Sequence, residues 1–171
     1  IEARNVSHAY GETKILDEFS LRVMRGERIG IIGNNGVGKT TLLHILLGEL
    51  DPNAGSVKLG TNLEVAYFDQ LRRELDTTRT VAEIVGEGRD YINVFNKKKH
   101  VVGYLTDFLF SAKRAMTKVS ALSGGERNRV ILAKLFTQSA NLLVLDEPTN
   151  DLDVETLEAL ESRLVSYAGT L

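Results

Sequence analysis

The sequence contains no cysteine. That removes disulfides and thiolate metal centres as sources of stability or chemistry, and it is compatible with a reducing cytoplasm. No apolar run approaches the roughly 18–20 residues that a membrane span requires. The first ten residues, IEARNVSHAY, lack the layout of a secretion signal. Asn5-Val6-Ser7 therefore reads as an accidental glycosylation pattern rather than a used one. There is also little charge imbalance: 21 basic and 23 acidic residues give a net charge of −2. No global basic field advertises nucleic acid. Proline occurs only twice, at Pro52 and Pro148, and both mark the ends of elements.

What is present is ordinary globular composition. Of 171 residues, 43% are hydrophobic and 26% charged, enough for one domain with a sizeable core. The first sixty residues read as β-rich. Strands are expected in ARNVSHAY and ILDEFSLRV around a Gly11-Glu12 turn, and a buried strand in RIGIIG, 28–33. A helix, KTTLLHILLGEL, follows, and then strands in GSVKLG and LEVAYFD. The middle changes character, with helical patterns over 78–86 and 101–112 and an irregular stretch between them. Lys97-Lys98-Lys99 there reads as a solvated loop. LLVLDEP is an apolar strand closed by Pro148. Val154 to Tyr167 is a helix with Val154, Leu157, Leu160 and Leu164 on one face. Gly169 can end that helix, and Thr170-Leu171 stands where another strand could begin, so a fold cut short at its C-terminus is expected.

Strands alternating with helices predict an α/β fold with a parallel core. The expected organisation is one domain over 1–171. Residues 1–70 and 140–171 form its nucleotide-binding core, and 71–139 a helical insertion.

GNNGVGKT, 33–40, follows an expected strand and opens a helix, which is the phosphate-loop pattern in its required setting. A helix N-terminus carries unpaired N–H groups and positive dipole charge. Gly33, Gly36 and Gly38 allow the backbone to bend around phosphate oxygens, with Asn34, Asn35 and Val37 completing the loop. Lys39 can reach the β- and γ-phosphates, the Thr40 hydroxyl can hold Mg²⁺, and Thr41 can cap a further phosphate. Asp146 and Glu147 stand at the carboxyl end of an apolar strand, the edge at which open α/β sheets bind ligands. Asp146 is the natural Mg²⁺ partner. Glu147 can orient an attacking water and accept its proton.

Ser123-Gly124-Gly125-Glu126 fits a capping box, with Ser at the N-cap and Glu at N3. Capping explains Ser123 and Glu126 but not the glycines, which cost up to about 1 kcal/mol each against alanine. Bare backbone admits a large anion, so a second phosphate-seeking helix entrance is expected at 122–126.

At this point the sequence resembles the ABC-type ATPases. LSGGE resembles their signature motif, and GNNGVGKT, LLVLDE and Gln70 in YFDQ complete the set. The resemblance implies ATP and Mg²⁺ as cofactors and two ATPase domains paired head to tail. Each signature loop then closes on the γ-phosphate held by its partner. It implies that Tyr10 stacks on adenine and that Gln70 senses Mg²⁺ and the γ-phosphate. Asn150-Asp151-Leu152-Asp153 would be the loop through which the domains communicate. The family's switch histidine is expected after the next strand, beyond residue 171; His8, His44 and His100 are not at that position and read as incidental.

EPTNDLD resembles the ABC-F class, whose members hold two ATPase domains in one chain, although Asp151 stands where many carry histidine. NDLDVETLE, AYFDQ, TRTVAE, YLTDFLF, KRAMT and ALSGGERNR together are similar to the second ATPase domain of one ABC-F branch. The resemblance implies a cytoplasmic ATPase, weakly active as an isolated domain, with no membrane partner. Its mate would be the companion domain of the same chain or a second copy, and its targets the ribosome, DNA or both. The alternatives are the motor subunit of a membrane transporter, which NDLD disfavours, and a non-hydrolysing docking module, which intact Lys39, Asp146 and Glu147 disfavour.

Overall fold

A computed structural model describes the chain apart from residues 95–96 and 150–151 and the side chains of Asp69, Gln70 and Arg73. It divides into two compact units, 1–64 with 169–171, and 65–168.

The first unit is built on an antiparallel sheet in the order β2-β1-β3. β1 (Glu2–Tyr10) and β2 (Thr13–Arg22) form a hairpin over Gly11-Glu12, in which Gly11 takes φ 58°. A two-residue hairpin loop needs that left-handed region. β3 (Ala54–Lys58) pairs on the other side of β1. Helix α1 (Lys39–Leu46) lays Leu42, Ile45 and Leu46 against Ala3 and Val6 of β1, with Leu16, Phe19, Ile31 and Val57 around them. Their i, i+3, i+4 spacing is the one that puts three side chains on one helical face.

The strand expected at 28–33 does not form. Ile29 donates its N–H to the Leu171 carbonyl at 2.7 Å, and Leu171 donates to Glu27 at 3.0 Å, so the chain end does lie along this segment. A buried parallel strand is flanked on both sides and covered on both faces. Here Ile32 is 99% exposed, and the apolar run lacks that cover within its unit.

The second unit joins a parallel strand pair to a helical cluster. β4 (Val65–Tyr67) runs parallel to β7 (Leu142–Val144), Ala66 opposite Leu143. Both strands are shorter than expected; β4 ends where α2 (Phe68–Arg73) begins directly after Tyr67 and claims the end of YFDQ. α3 (Val81–Gly86) starts at a capping box. Thr80 N–H donates to Glu83 Oε2 at 2.7 Å, and Glu83 N–H donates back to Thr80 Oγ1 at 3.2 Å.

The segment read as irregular is a hairpin, β5 (Tyr91–Val94) with β6 (Lys97–His100). Lys97-Lys98-Lys99 is therefore strand rather than loop. Ile92 and Val94 are buried on one face, and Lys98 lies over the Tyr91 ring, 5.0 Å from its centre. The helix expected over 101–112 is α4 (Val101–Thr106), followed by a turn with Leu109 at φ 64° and then α5 (Ala112–Ala115).

α6 (Gly124–Leu135) is the axis of this unit, with α2 and α3 packed on it. Val130, Ile131, Leu132 and Leu135 are buried. The fully buried Tyr104 of α4 donates its hydroxyl to the Ala133 carbonyl at 2.8 Å, and burial pushes that phenol's pKa up. α7 (Val154–Ser166) buries Thr156 and Leu160, whereas Val154 is exposed and does not join the expected face. Thr156 is close to the helix start, where its N–H is capped by Asp153 and its hydroxyl accepts from Arg129 Nη1 at 3.3 Å.

Candidate functional site

In the first unit the chain leaves Ile32 and turns through Gly33–Gly38 into α1. Gly36 has φ 79° and Gly38, the N-cap residue, φ 106°, conformations that exclude most side chains. No side chain caps α1, which leaves its entrance to whatever the loop binds. Val37 N–H donates to the Asn34 carbonyl at 3.3 Å, closing the turn. Lys39 Nζ donates to the carbonyls of Gly33 at 3.0 Å and Asn34 at 3.1 Å. The ammonium is thus held over the mouth of the loop by carbonyls, partners that an incoming phosphate oxygen can replace. Asn34, Asn35, Gly36, Val37 and Thr40 are exposed, and Thr41 half-buried. Tyr10 ends β1 with its ring 55% exposed, edge-on to His8 at 4.9 Å. It is not a core aromatic.

In the second unit, Asp146 and Glu147 follow β7. Glu147 takes φ 46°, a left-handed conformation rare for a residue with a Cβ. Gln70 lies in α2; its side chain, like Asn150 and Asp151, is outside the described residues. Among the described residues no group of three His, Cys, Asp or Glu is placed to hold a metal ion. A nucleotide-bound Mg²⁺ takes most of its ligands from phosphate and water. The hydroxyl of Thr40 and the carboxylate of Asp146 are hard oxygen donors of the kind that ion accepts.

The entrance of α6 carries the second candidate region. Ser123 caps it: Glu126 N–H donates to Ser123 Oγ at 3.3 Å, and Ser123 N–H donates to Glu126 Oε2 at 2.8 Å. The helix starts two residues before Glu126, so Gly124 and Gly125 form its first turn. A Cβ at Gly124 would meet nothing within 4 Å, and one at Gly125 only Asp153 Oδ2 at 3.8 Å. Packing among the described residues therefore demands neither glycine.

Two ion pairs brace this entrance. Arg114 grips Glu126 with a fork, Nε to Oε1 at 2.6 Å and Nη2 to Oε2 at 2.7 Å. Asp153 uses both carboxylate oxygens. Oδ1 accepts from Thr156 N–H at 2.8 Å and caps α7, while Oδ2 accepts from Arg129 Nη1 of α6 at 2.9 Å. Sequence reasoning named Ser123, Glu126 and Asp153 but missed Arg114 and Arg129.

The fork from Arg114, helped by Ser123, holds the Glu126 carboxyl down to about 2 against an ordinary 4.5. A depressed folded-state value stabilises the fold above the unfolded-state value and loses that stabilisation as pH falls toward the folded one. The expected result is a component of acid destabilisation between about pH 4.5 and 2, absent from Arg114→Ala. Denaturant midpoints measured at several pH values across that window check it.

The sequence pattern that defines the ABC transporter family matches residues 16–150. The chain is 54% identical over 170 residues to ATP-binding protein Uup of Haemophilus influenzae, covering 99% of this chain and 26% of that protein. It is 55% identical to the Uup of Escherichia coli over 99% of its length and 27% of the relative. Identity to the energy-dependent translational throttle protein EttA of Haemophilus influenzae is 42%, over 99% of this chain and 30% of the relative. The chain thus spans about a quarter of the length of these two Uup relatives. A solved ATP-binding subunit of an ABC transporter superposes with a TM-score of 0.72 at 22% identity, over 99% of this chain and 77% of that one, a likeness of fold. With the family pattern covering most of its length and the phosphate loop opening α1 as that family requires, the chain belongs to the ABC transporter family as an ATP-binding domain.

Proposed function

We propose that this domain binds and hydrolyses Mg–ATP as one of two ATPase domains of an ABC-F chain of the Uup type. The phosphate loop, 33–41, holds the triphosphate of its own nucleotide, with Tyr10 against adenine and Lys39 along the β- and γ-phosphates. Bound Mg²⁺ neutralises developing phosphate charge; Thr40, Asp146 and Gln70 are the residues that would hold it, directly or through water. Glu147 orients and deprotonates the attacking water.

The observation that carries the reading is the bare first turn of α6, at a capped helix entrance, where a Cβ at Gly124 would meet open space and one at Gly125 only Asp153 Oδ2 at 3.8 Å. A helix start stripped of Cβ atoms suits the γ-phosphate of a nucleotide held by a companion domain. ATP then binds the closed pair more tightly than the open pair, and hydrolysis releases it. The closing motion acts on a ribosome, on DNA or on both, in the cytoplasm. The relative EttA, an energy-dependent translational throttle protein, supports the ribosome.

The test uses the complete chain. Added to Glu147→Gln, Ser123→Arg places a bulky cation at the α6 entrance and is expected to abolish that variant's ATP-driven compaction in small-angle X-ray scattering while fluorescent ATP still binds the phosphate loop. Undiminished compaction in the double variant would refute a signature role for this turn.

A further inference from the structure

We propose that Arg114 is a positioning residue for the ATPase cycle: its fork neutralises and fixes Glu126 so that a phosphate can approach Ser123–Gly125. The proposal rests on the reading above that this turn receives a nucleotide.

The argument begins with a conflict of charge. A helix N-terminus attracts anions, and the Glu126 carboxylate already occupies that positive end as the N3 member of the capping box. An ATP phosphate directed at the same turn meets a resident negative charge. An uncharged amide at position 126 would cap without repelling. With glutamate there, the entrance needs a counter-charge held on the side away from the glycines.

Arg114 supplies it from a different element. Its two nitrogens meet the two carboxylate oxygens at 2.6 and 2.7 Å, the planar match that lysine cannot make. The same guanidinium reaches the Ala121 carbonyl at 3.3 Å, in the turn just before the signature residues. Arg127 Nη2 takes the neighbouring Ser120 carbonyl at 3.0 Å. Arg114 is itself anchored, its N–H donating to Ser111 Oγ at 3.2 Å where α5 begins. The Glu126 side chain is 16% exposed, so the pair is shielded enough from solvent for its charge balance to matter. The arrangement leaves Ser123 and Gly124 exposed, and it makes their position depend on α5 through Arg114.

The experiment measures steady-state ATP turnover, fluorescent-nucleotide affinity and melting temperature in the complete chain. The variants are Arg114→Ala, Arg114→Lys and the double variant Arg114→Ala/Glu126→Gln. Arg114→Ala should lower kcat about tenfold or more, the scale of losing a charge-assisted hydrogen-bonded pair. Nucleotide affinity should hold, because the phosphate loop is elsewhere in the chain. Arg114→Lys should stay impaired, since a point charge cannot reproduce the fork. The double variant should recover most of the lost kcat, because a neutral glutamine needs no counter-charge. Wild-type kcat in Arg114→Ala would overturn the proposal. So would a loss that persists in the double variant, which would assign Arg114 to folding of α5 alone. Absence of turnover in the wild-type chain would instead overturn the ATPase reading itself.

Discussion

Glu147→Gln in the complete chain is expected to lower ATP turnover by at least about 10²-fold, the usual contribution of a general base, with ATP still bound. Glutamine matches glutamate in shape and keeps the polar contacts an amide can make, but it cannot accept a proton from water. The nucleotide should then hold the domains closed, so scattering in ATP–Mg²⁺ should show a compact particle that wild type shows only transiently. Turnover at the wild-type rate would remove Glu147 from the mechanism.

The backbone sharpens this expectation. Glu147 sits at φ 46°, where a Cβ crowds the following carbonyl at a cost of about 1–2 kcal/mol. A residue kept there against that cost is a candidate for function rather than for stability. Glu147→Gly should therefore be as inactive as the glutamine variant and yet more stable, by about 1 kcal/mol. Denaturant midpoints of the two variants separate the strain from the chemistry.

Gly38→Ala is the second large effect. The new Cβ would overlap Ile15 Cγ2 of β2, and the residue would have to hold φ 106°. The left-handed backbone costs about 1–2 kcal/mol, and overpacking against a neighbour adds about 1–3 kcal/mol. The expected result is a lower unfolding midpoint and loss of nucleotide binding, since α1 begins at this residue. Gly36→Ala gives the comparison. Its φ of 79° carries the backbone cost, but its Cβ would meet open space. Gly36→Ala should lose only the smaller share of stability, and trimming Ile15 to alanine should recover only the overpacking share of Gly38→Ala.

The elements legible in the sequence are those whose cause is local. The capping boxes at Thr80–Glu83 and Ser123–Glu126 need four consecutive residues, and both are present as such. The phosphate loop was readable because three glycines, a lysine and a threonine fall in eight positions. The β5–β6 hairpin was not. Nothing in KKKH favours a strand; its extended form comes from burial of Ile92 and Val94 opposite it and from Lys99 reaching Asp107 at 3.2 Å. RIGIIG failed in the other direction. Its apolar run describes what a strand there would bury, but a strand also needs neighbours, and Ile29 finds its partner in Leu171, far along the chain. Arg114 was invisible for a similar reason: no spacing rule joins it to Glu126 across two intervening turns.

Asp153 has a mechanical consequence. One carboxylate grips the first turn of α7 with one oxygen and, through Arg129, the flank of α6 with the other. Arg129 and Asp153 thus tie the two helices through their side chains, with Asp153 at the surface rather than in the hydrophobic core. If the α6 entrance receives a nucleotide as proposed, a displacement there reaches the start of α7 through one carboxylate rather than through the deformation of a fold.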